Sequence, residues 1–561
     1  MVVNTIEGNP SAYGYPLLIK SLLETGVTLA SDQEIVYADR KRMTYGDLRE
    51  RVARLASRLR SLGVREGDTV AVMDWDSHRY LECYFAVPML GAVLHTVNVR
   101  LSPEQILYTI NHARDDVILV NSEFLPLLAE LRDRIEPVKT FILLDDTGRP
   151  PETSLVIDGE YEDLLRSGDP EFEFPELSED TRATTFYTTG TTGLPKGVYF
   201  SHRQLVLHTF GARAALGGSG QGRFNGDDVY MPITPMFHVH AWAFPYHATT
   251  LGVKQVYPGR YVPEVLLELI EREGVTFSHC VPAILQMLLA SPKSKEVDLS
   301  RWKVVIGGSA MPQALARQAV DRGIDAFTAY GMSETCPLLT LAQLKPHMRA
   351  WDVATQVEVR CMTGRPLPLV QLRIVDAAMN DVAHDGKSQG EVVVRAPWLT
   401  QGYLRDPRNS ATLWEGGWLH TGDIGVINED GYLKITDRIK DVIKSGGEWI
   451  SSLEIEDLLM QHAKVAEAAV IGVPDQRWGE RPWAYVVLRS GEPADGAEAE
   501  LKRHLKSFAD RGILSPYAVP DHLELVDALP RTSVGKLNKN ALRAMNAAQN
   551  ESQTKEMAPQ T

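Results

Sequence analysis

Strand-length apolar runs alternate with segments of helical period along most of the chain, and this alternation restricts the fold more than any other feature. Leu48, Val52, Leu55, Leu59 and Leu62, spaced by three and four, predict a helix capped by Thr44 and Asp47 and stopped by Gly63. Residues 68–73 then read as a buried strand and 81–94 as an amphipathic helix. The pattern repeats with a strand at 116–120, a helix from about residue 123 and a strand at 140–144. It returns as a strand at 254–257, a helix at 263–272 and a strand at 303–306. Such alternation implies α/β architecture with largely parallel sheets.

From about residue 391 the texture changes. Short strands at 391–395 and 432–435, separated by Gly and Asp turns, suggest a small β subdomain. Beyond 437–441 a third pattern starts: a helix at 453–461, strands at 468–473 and 483–488, and a helix at 497–508. This places a domain boundary between residues 437 and 438, giving an N-terminal domain over 1–437 and a C-terminal domain over 438–561. Residues after about 547 are polar and are expected to fray.

Composition removes several function classes. The net charge of −15, with no Lys/Arg block, argues against non-specific binding to nucleic acid or anionic membranes. Cys83, Cys280, Cys336 and Cys361 are far apart and form no CxxC pair, which excludes a zinc ribbon and a disulfide framework. The most apolar stretch, 81–97, is interrupted by Glu82, Pro88 and His95 and is too short and polar to span a bilayer. The first residues lack a basic segment followed by an apolar run, so the expected location is cytoplasmic.

The strongest chemical signal is YTTGTTGLPKG, residues 187–197, between a strand at 184–187 and a helix opening at His202. It carries four Thr, three Gly and one Lys. Polyphosphate oxygens need short donors, backbone N–H groups brought close by glycine, and a cation, and this segment has all three. It is not the Walker form, because Lys196 follows Pro195 and precedes Gly197.

The order of residues in this loop resembles the signature of the adenylate-forming superfamily, which includes acyl-CoA synthetases, luciferases and peptide-synthetase adenylation domains. The resemblance continues in family order through PMFHV (235–239), GGSA (307–310), YGMSET (330–335) and GRP (364–366). It extends through WLHTGD (418–423), DRIKD (437–441), SGGEW (445–449) and PRTSVGK (530–536). It implies a large N-terminal domain of α/β sheets plus a β subdomain, followed by a small, mobile α+β C-terminal domain.

The resemblance also assigns roles by position. Thr188 and Glu334, a hydroxyl and a carboxylate, are hard oxygen donors suited to Mg²⁺ and take the position of the ATP-bound metal. Thr189, Gly190, Thr191, Thr192 and Lys196 would cradle the phosphates; Gly308, Thr328, Ala329, Tyr330, Ser333 and Thr335 would enclose the adenine side of ATP/AMP. Asp423 would take the ribose hydroxyls, with Arg438 beside it. Lys440 occupies the hinge position, where many relatives carry Asp, and Lys444 and Trp449 match adenylate contacts of the fatty-acid branch. Gly446, Gly447 and Glu448 form the loop presented in the CoA step.

On the acid side, His238, Gly308 and Trp242 would border the acyl pocket, with Trp242 as a mobile indole guarding a tunnel. On a strand, His238 and His240 would share a face and could chelate a metal, but no third ligand of the right type is nearby. Lys536 is the expected catalytic cation, with Glu334. A carboxylate attacking a phosphate brings two anions together, and one fixed cation is commonly worth ~10²–10³ in rate.

The implied activity is ATP-dependent carboxylate–CoA ligation through an acyl-adenylate. ATP and CoA are substrates, Mg²⁺ is the cofactor, and the protein is a homodimer by resemblance to the long-chain branch. Medium- or long-chain fatty acids are the expected substrates, and 3-(methylthio)propionate is the alternative. An amino-acid-adenylating domain would carry Asp where this chain has Phe237-His238-Val239. A luciferase-type oxygenase would share every motif.

Overall fold

The computed structural model describes residues 6–188, 194–218, 220–445, 448–475, 477–532 and 536–556, with backbone alone for 448–449 and 550–556. The helix Tyr45–Ser61 forms as its spacing predicts, and Thr44 and Asp47 close a reciprocal capping box at its start. Thr69–Met73 is a fully buried strand.

The helix expected at 81–94 instead spans His78–Met89, with the Ser77 hydroxyl accepting from the Tyr80 amide. Gly91, at φ +82°, turns the chain into the strand Val93–Thr96. This helix is buried all round rather than amphipathic. Its charges are paired internally: Arg79 meets Asp146 at 2.7 Å and Glu82 meets Arg51 at 2.7 Å.

Four sheets organise the described residues. A seven-stranded sheet runs 159–160, 140–144, 115–121, 69–73, 93–96, 182–187 and 197–201. Its pairings are parallel except for the last hairpin, Arg182–Tyr187 against Gly197–Ser201. A nine-stranded sheet has a parallel centre of 303–306, 277–280, 229–232 and 254–257. The strand Asp325–Gly331 extends it by pairing in parallel with Lys303–Ile306. A four-stranded antiparallel sheet (371–375, 390–395, 419–427, 433–438) is the β subdomain.

The fourth sheet has five strands built from Ile443–Ser445, Glu448–Ile450, Val465–Asp475, Gly479–Leu488 and His522–Leu525. Its core of Ile443, Ile455, Leu459, Val470 and Leu505 draws only on residues beyond 442. The architecture is therefore a large α/β N-terminal part, a β subdomain and a smaller α+β C-terminal part. The chain end differs from expectation. Lys539–Glu556 is a helix, anchored by buried Leu542, by the Arg543–Asp441 ion pair at 2.7 Å and by Asn546 donating to the Tyr485 hydroxyl. These three contacts, at residues 542, 543 and 546, hold the first half of the helix.

The parallel strands Phe277–Cys280, Lys303–Ile306 and Asp325–Gly331 end together, delivering Val281, Gly307-Gly308 and Tyr330–Thr335 to one edge. Ligands of α/β sheets bind outside these carboxyl ends, where loops from neighbouring strands converge. No helix among the described residues is long and apolar enough to cross a membrane.

Candidate active site

Cross-strand register creates the first part of the site. Asp423 and Arg438 are direct partners on antiparallel strands of the β subdomain, and Arg438 Nε lies 3.2 Å from Asp423 Oδ1. The other carboxylate oxygen, Oδ2, accepts the Tyr330 hydroxyl at 2.6 Å. Asp423 is 4 % exposed, so its bond to Tyr330 acts where water competes poorly, while the Arg438 side chain remains half-exposed. Asp423 holds the Arg438 guanidinium charged, and burial followed by the Asp423 charge raises the Tyr330 phenol well above its ordinary range. The Thr328 hydroxyl at this edge is buried and has no hydrogen-bond partner among the described residues. Ala329 is buried and Ser333 half-buried, while buried Thr335 bonds the Met332 amide and the Pro337 carbonyl.

The phosphate loop belongs to a hairpin. Tyr187 pairs with Gly197, the Thr188 amide donates to the Lys196 carbonyl at 2.9 Å, and the Lys196 amide donates to the Thr188 hydroxyl at 3.3 Å. The strand Gly197–Ser201 therefore stands between the loop and the helix His202–Gly218, where a direct loop-to-helix passage was expected. Thr189, Gly190, Thr191 and Thr192 lie outside the described residues.

Tyr403, which motif reading missed, ties this hairpin to Glu334. Its hydroxyl donates to Glu334 Oε1 at 2.7 Å, and its ring lies 4.6 Å from Lys196 Nζ. The Gly197 carbonyl accepts from the Leu404 amide, which fixes Tyr403 beside the hairpin. Glu334 is 6 % exposed. A buried carboxylate with one oxygen engaged and a threonine hydroxyl fit the hard-oxygen donor set of Mg²⁺. No cluster of three or more His, Cys, Asp or Glu able to hold a metal occurs among the described residues.

Lys536 comes from the C-terminal part and reaches the strand ends. A Cβ built on Gly308 would lie 3.2 Å from Lys536 Cε and 3.1 Å from Val281 Cγ1, and Gly308 has φ +80°. Both the close approach and the left-handed backbone require glycine there. Burial, followed by repulsion from Arg438, pushes the Lys536 ammonium down to about 8, against the opposing pull of Asp423 and Glu334. His238 is pushed down to about 3 by burial and then by the Lys536 charge, so it is neutral at physiological pH. Residues 533–535 lie outside the described set.

The segment after His238 is not a strand. Val239, His240, Ala241, Trp242 and Ala243 all have φ between 48° and 60°, a left-handed turn. Each such non-glycine residue costs roughly 1–2 kcal/mol. His238 and His240 therefore do not share a strand face: His240 packs against Phe186, 5.1 Å between ring centres, and Phe200. The turn lays the Trp242 indole over the glycine pair, with Cη2 3.0 Å from where a Gly307 Cβ would stand. Trp242 is 5 % exposed.

The remaining expected residues lie toward the C-terminal part. Lys440 follows the last strand of the β subdomain, and its carbonyl accepts from Arg543 at 3.3 Å. Lys444, exposed, pairs across a hairpin with Trp449, and its amide donates to Glu480. Lys444, Glu448 and Trp449 thus sit on a different sheet from Tyr330 and Asp423. Gly446 and Gly447 lie outside the described residues.

Known proteins share this fold. Residues 23–404 match the model of the AMP-binding enzyme family, and residues 454–536 match the AMP-binding enzyme C-terminal domain. A long-chain-fatty-acid–CoA ligase of Thermus thermophilus is 41 % identical over 93 % of this chain and 94 % of its own length. A 3-methylmercaptopropionyl-CoA ligase of Ruegeria lacuscaerulensis is 40 % identical over 94 % of this chain and 97 % of its own. The crystal structure of an anthranilate CoA ligase in complex with anthranoyl-AMP shares the fold, with a TM-score of 0.83 at 24 % identity, covering 95 % of this chain and 99 % of that one. The chain belongs to the AMP-binding enzyme family of the adenylate-forming superfamily and is an AMP-forming acyl-CoA synthetase, with ATP and CoA as substrates.

Proposed function

We propose that Lys536 is the catalytic cation of a two-step ligation of an aliphatic carboxylate to CoA. The observation that carries this reading is the approach of Lys536 Cε to Gly308, which brings a charge from the C-terminal part to the ends of the N-terminal strands. A carboxylate oxygen attacks the ATP α-phosphorus and the bond to the β-phosphate breaks, giving acyl-adenylate and diphosphate. An ammonium beside both reacting oxygens lowers their mutual repulsion and the charge of the transition state. Tyr330 packs against adenine, while Asp423 accepts the ribose hydroxyls. Lys196, Thr188 and the glycine-rich turn receive the phosphates. Glu334 and Thr188 would hold Mg²⁺, which supplies charge neutralisation of the β- and γ-phosphates.

In the second step the C-terminal unit, taken as residues 438–561, turns about Lys440 and withdraws Lys536. Residues 444–449 then face the adenylate. The CoA sulfur attacks the mixed-anhydride carbonyl, AMP leaves, and the thiol proton passes to the departing phosphate or to water. The relatives span long-chain acids and 3-methylmercaptopropionate, and the acid of this chain falls within that aliphatic range. Cytoplasmic location and homodimerisation complete the reading.

The test is diphosphate release from ATP with a panel of aliphatic acids, with and without CoA. Acid-dependent release, followed by CoA-dependent AMP and thioester, is expected. Absence of release with every acid overturns the reading.

A further inference from the structure

We infer that the acid's tail meets a wall of packed rings directly behind Trp242, which suits this chain to short carboxylates; the inference rests on the ligase reading above. Lys536 approaches Gly308 and Trp242 covers Gly307, and these neighbouring glycines have Cα atoms about 3.8 Å apart. The indole therefore covers the residue next to the one that Lys536 approaches.

Rings continue beyond the indole. Trp242 lies 5.1 Å from His279, and Phe244 stacks with His279 at 4.6 Å. Phe244 then meets His247 at 5.0 Å, and His247 meets His208 at 5.6 Å. All four rings behind the indole are 0 % exposed. Tyr230 pins His279 with a 2.9 Å hydrogen bond to Nε2 and a stacked ring. Swinging Trp242 aside therefore opens only the first position. A long alkyl chain would also have to displace His279 and Phe244, which interior packing at near-crystalline density resists.

The chemistry of the wall agrees with its position. Both nitrogens of His247, Nδ1 of His279 and Nδ1 of His208 are buried without a hydrogen-bond partner among the described residues. Burial pushes His247 and His279 down to about 3, so both are neutral. A buried imidazole nitrogen without a partner gains nothing from an alkane tail laid against it. A lining meant for a long hydrocarbon has no use for imidazoles.

The experiment is kcat/KM for propionate, butyrate, hexanoate, octanoate and palmitate with saturating ATP and CoA. A maximum at or below hexanoate is expected, with palmitate lower by ~10²-fold or more. Replacing His279→Ala, or separately Phe244→Leu, should raise the octanoate-to-butyrate ratio ~tenfold while leaving the KM for ATP unchanged. A wild-type maximum at octanoate or palmitate overturns the wall but not the ligase reading. An unchanged ratio in either variant shown to be folded by its thermal melt also overturns it. Absence of diphosphate release with every acid removes the ligase reading and this inference together. Should His279→Ala fail to fold, the wild-type profile and Phe244→Leu still decide.

Discussion

The Tyr403 hydroxyl donates to Glu334 Oε1 at 2.7 Å while the same ring lies 4.6 Å from Lys196 Nζ. One side chain thus sets both a carboxylate proposed for Mg²⁺ and a cation proposed for the phosphates. Tyr403→Phe keeps the ring and removes the bond, so Glu334 should be less well oriented. The expected result is a rise of roughly threefold to tenfold in the Mg²⁺ concentration needed for half-maximal diphosphate release, with the acid KM unchanged. Tyr403→Leu, which also removes the ring from Lys196, should raise the KM for ATP as well. A Mg²⁺ titration unchanged in Tyr403→Phe would reduce the tyrosine to a packing role.

Lys536→Ala should lower acyl-adenylate formation by ~10²–10³ while sparing thioester formation from supplied acyl-adenylate. Equal loss in both half-reactions would contradict a cation that serves only the first.

The depressed Lys536 value gives that step a pH signature. Pushed down to about 8, the ammonium is fully charged only well below that pH, so adenylation should hold a plateau on the acid side and fall as pH rises through that value. Lys536→Arg, always charged, should have a lower plateau and no alkaline fall up to the limit of folding. His238, neutral above about 3, should leave no mark near neutrality. Rate measurements between pH 6 and about 9.5 decide, since an alkaline limb that persists in Lys536→Arg belongs to another group.

Movement about Lys440 can be tested without touching the chemistry. Lys440→Pro removes backbone freedom at the proposed pivot and should leave adenylation within a few-fold while slowing thioester formation by ~tenfold or more. Arg543→Ala removes the ion pair to Asp441 and the bond to the Lys440 carbonyl, and so loosens the arrangement that presents Lys536. It should slow adenylation more than the second half-reaction.

Away from the reacting atoms, Arg223 is wholly buried and holds Asp325 through two bonds of 2.9 and 3.0 Å at the start of the strand that carries Tyr330. Arg223→Ala would leave a half-compensated carboxylate and should cost about 3–5 kcal/mol, read by denaturant unfolding of the N-terminal part. A loss below about 1 kcal/mol would show that Arg360, the other partner of Asp325, carries the pair by itself.

The parts legible in the sequence were those whose chemistry is local. Period and cap gave the helix Tyr45–Ser61, and residue type at fixed spacing picked out the turn after Tyr187 and the strand-end glycines. The helix at His78–Met89 is less legible, because Glu82 looks solvated until its partner Arg51, distant in sequence, is known. Tyr403 was missed for a related reason, since a tyrosine in a loop has no local mark of function and its role appears only when Glu334 and Lys196 meet it. The ring stack likewise draws on three separate segments, around His208, Phe244 and His279, that no one-dimensional pattern joins. Three-dimensional assembly supplied what period and motif could not.

The counter-wound stretch from Val239 to Ala243 holds five successive residues with side chains in a hand of twist that glycine alone tolerates freely, so the seat of the indole over Gly307 is built at a steric cost that the surrounding packing has to meet.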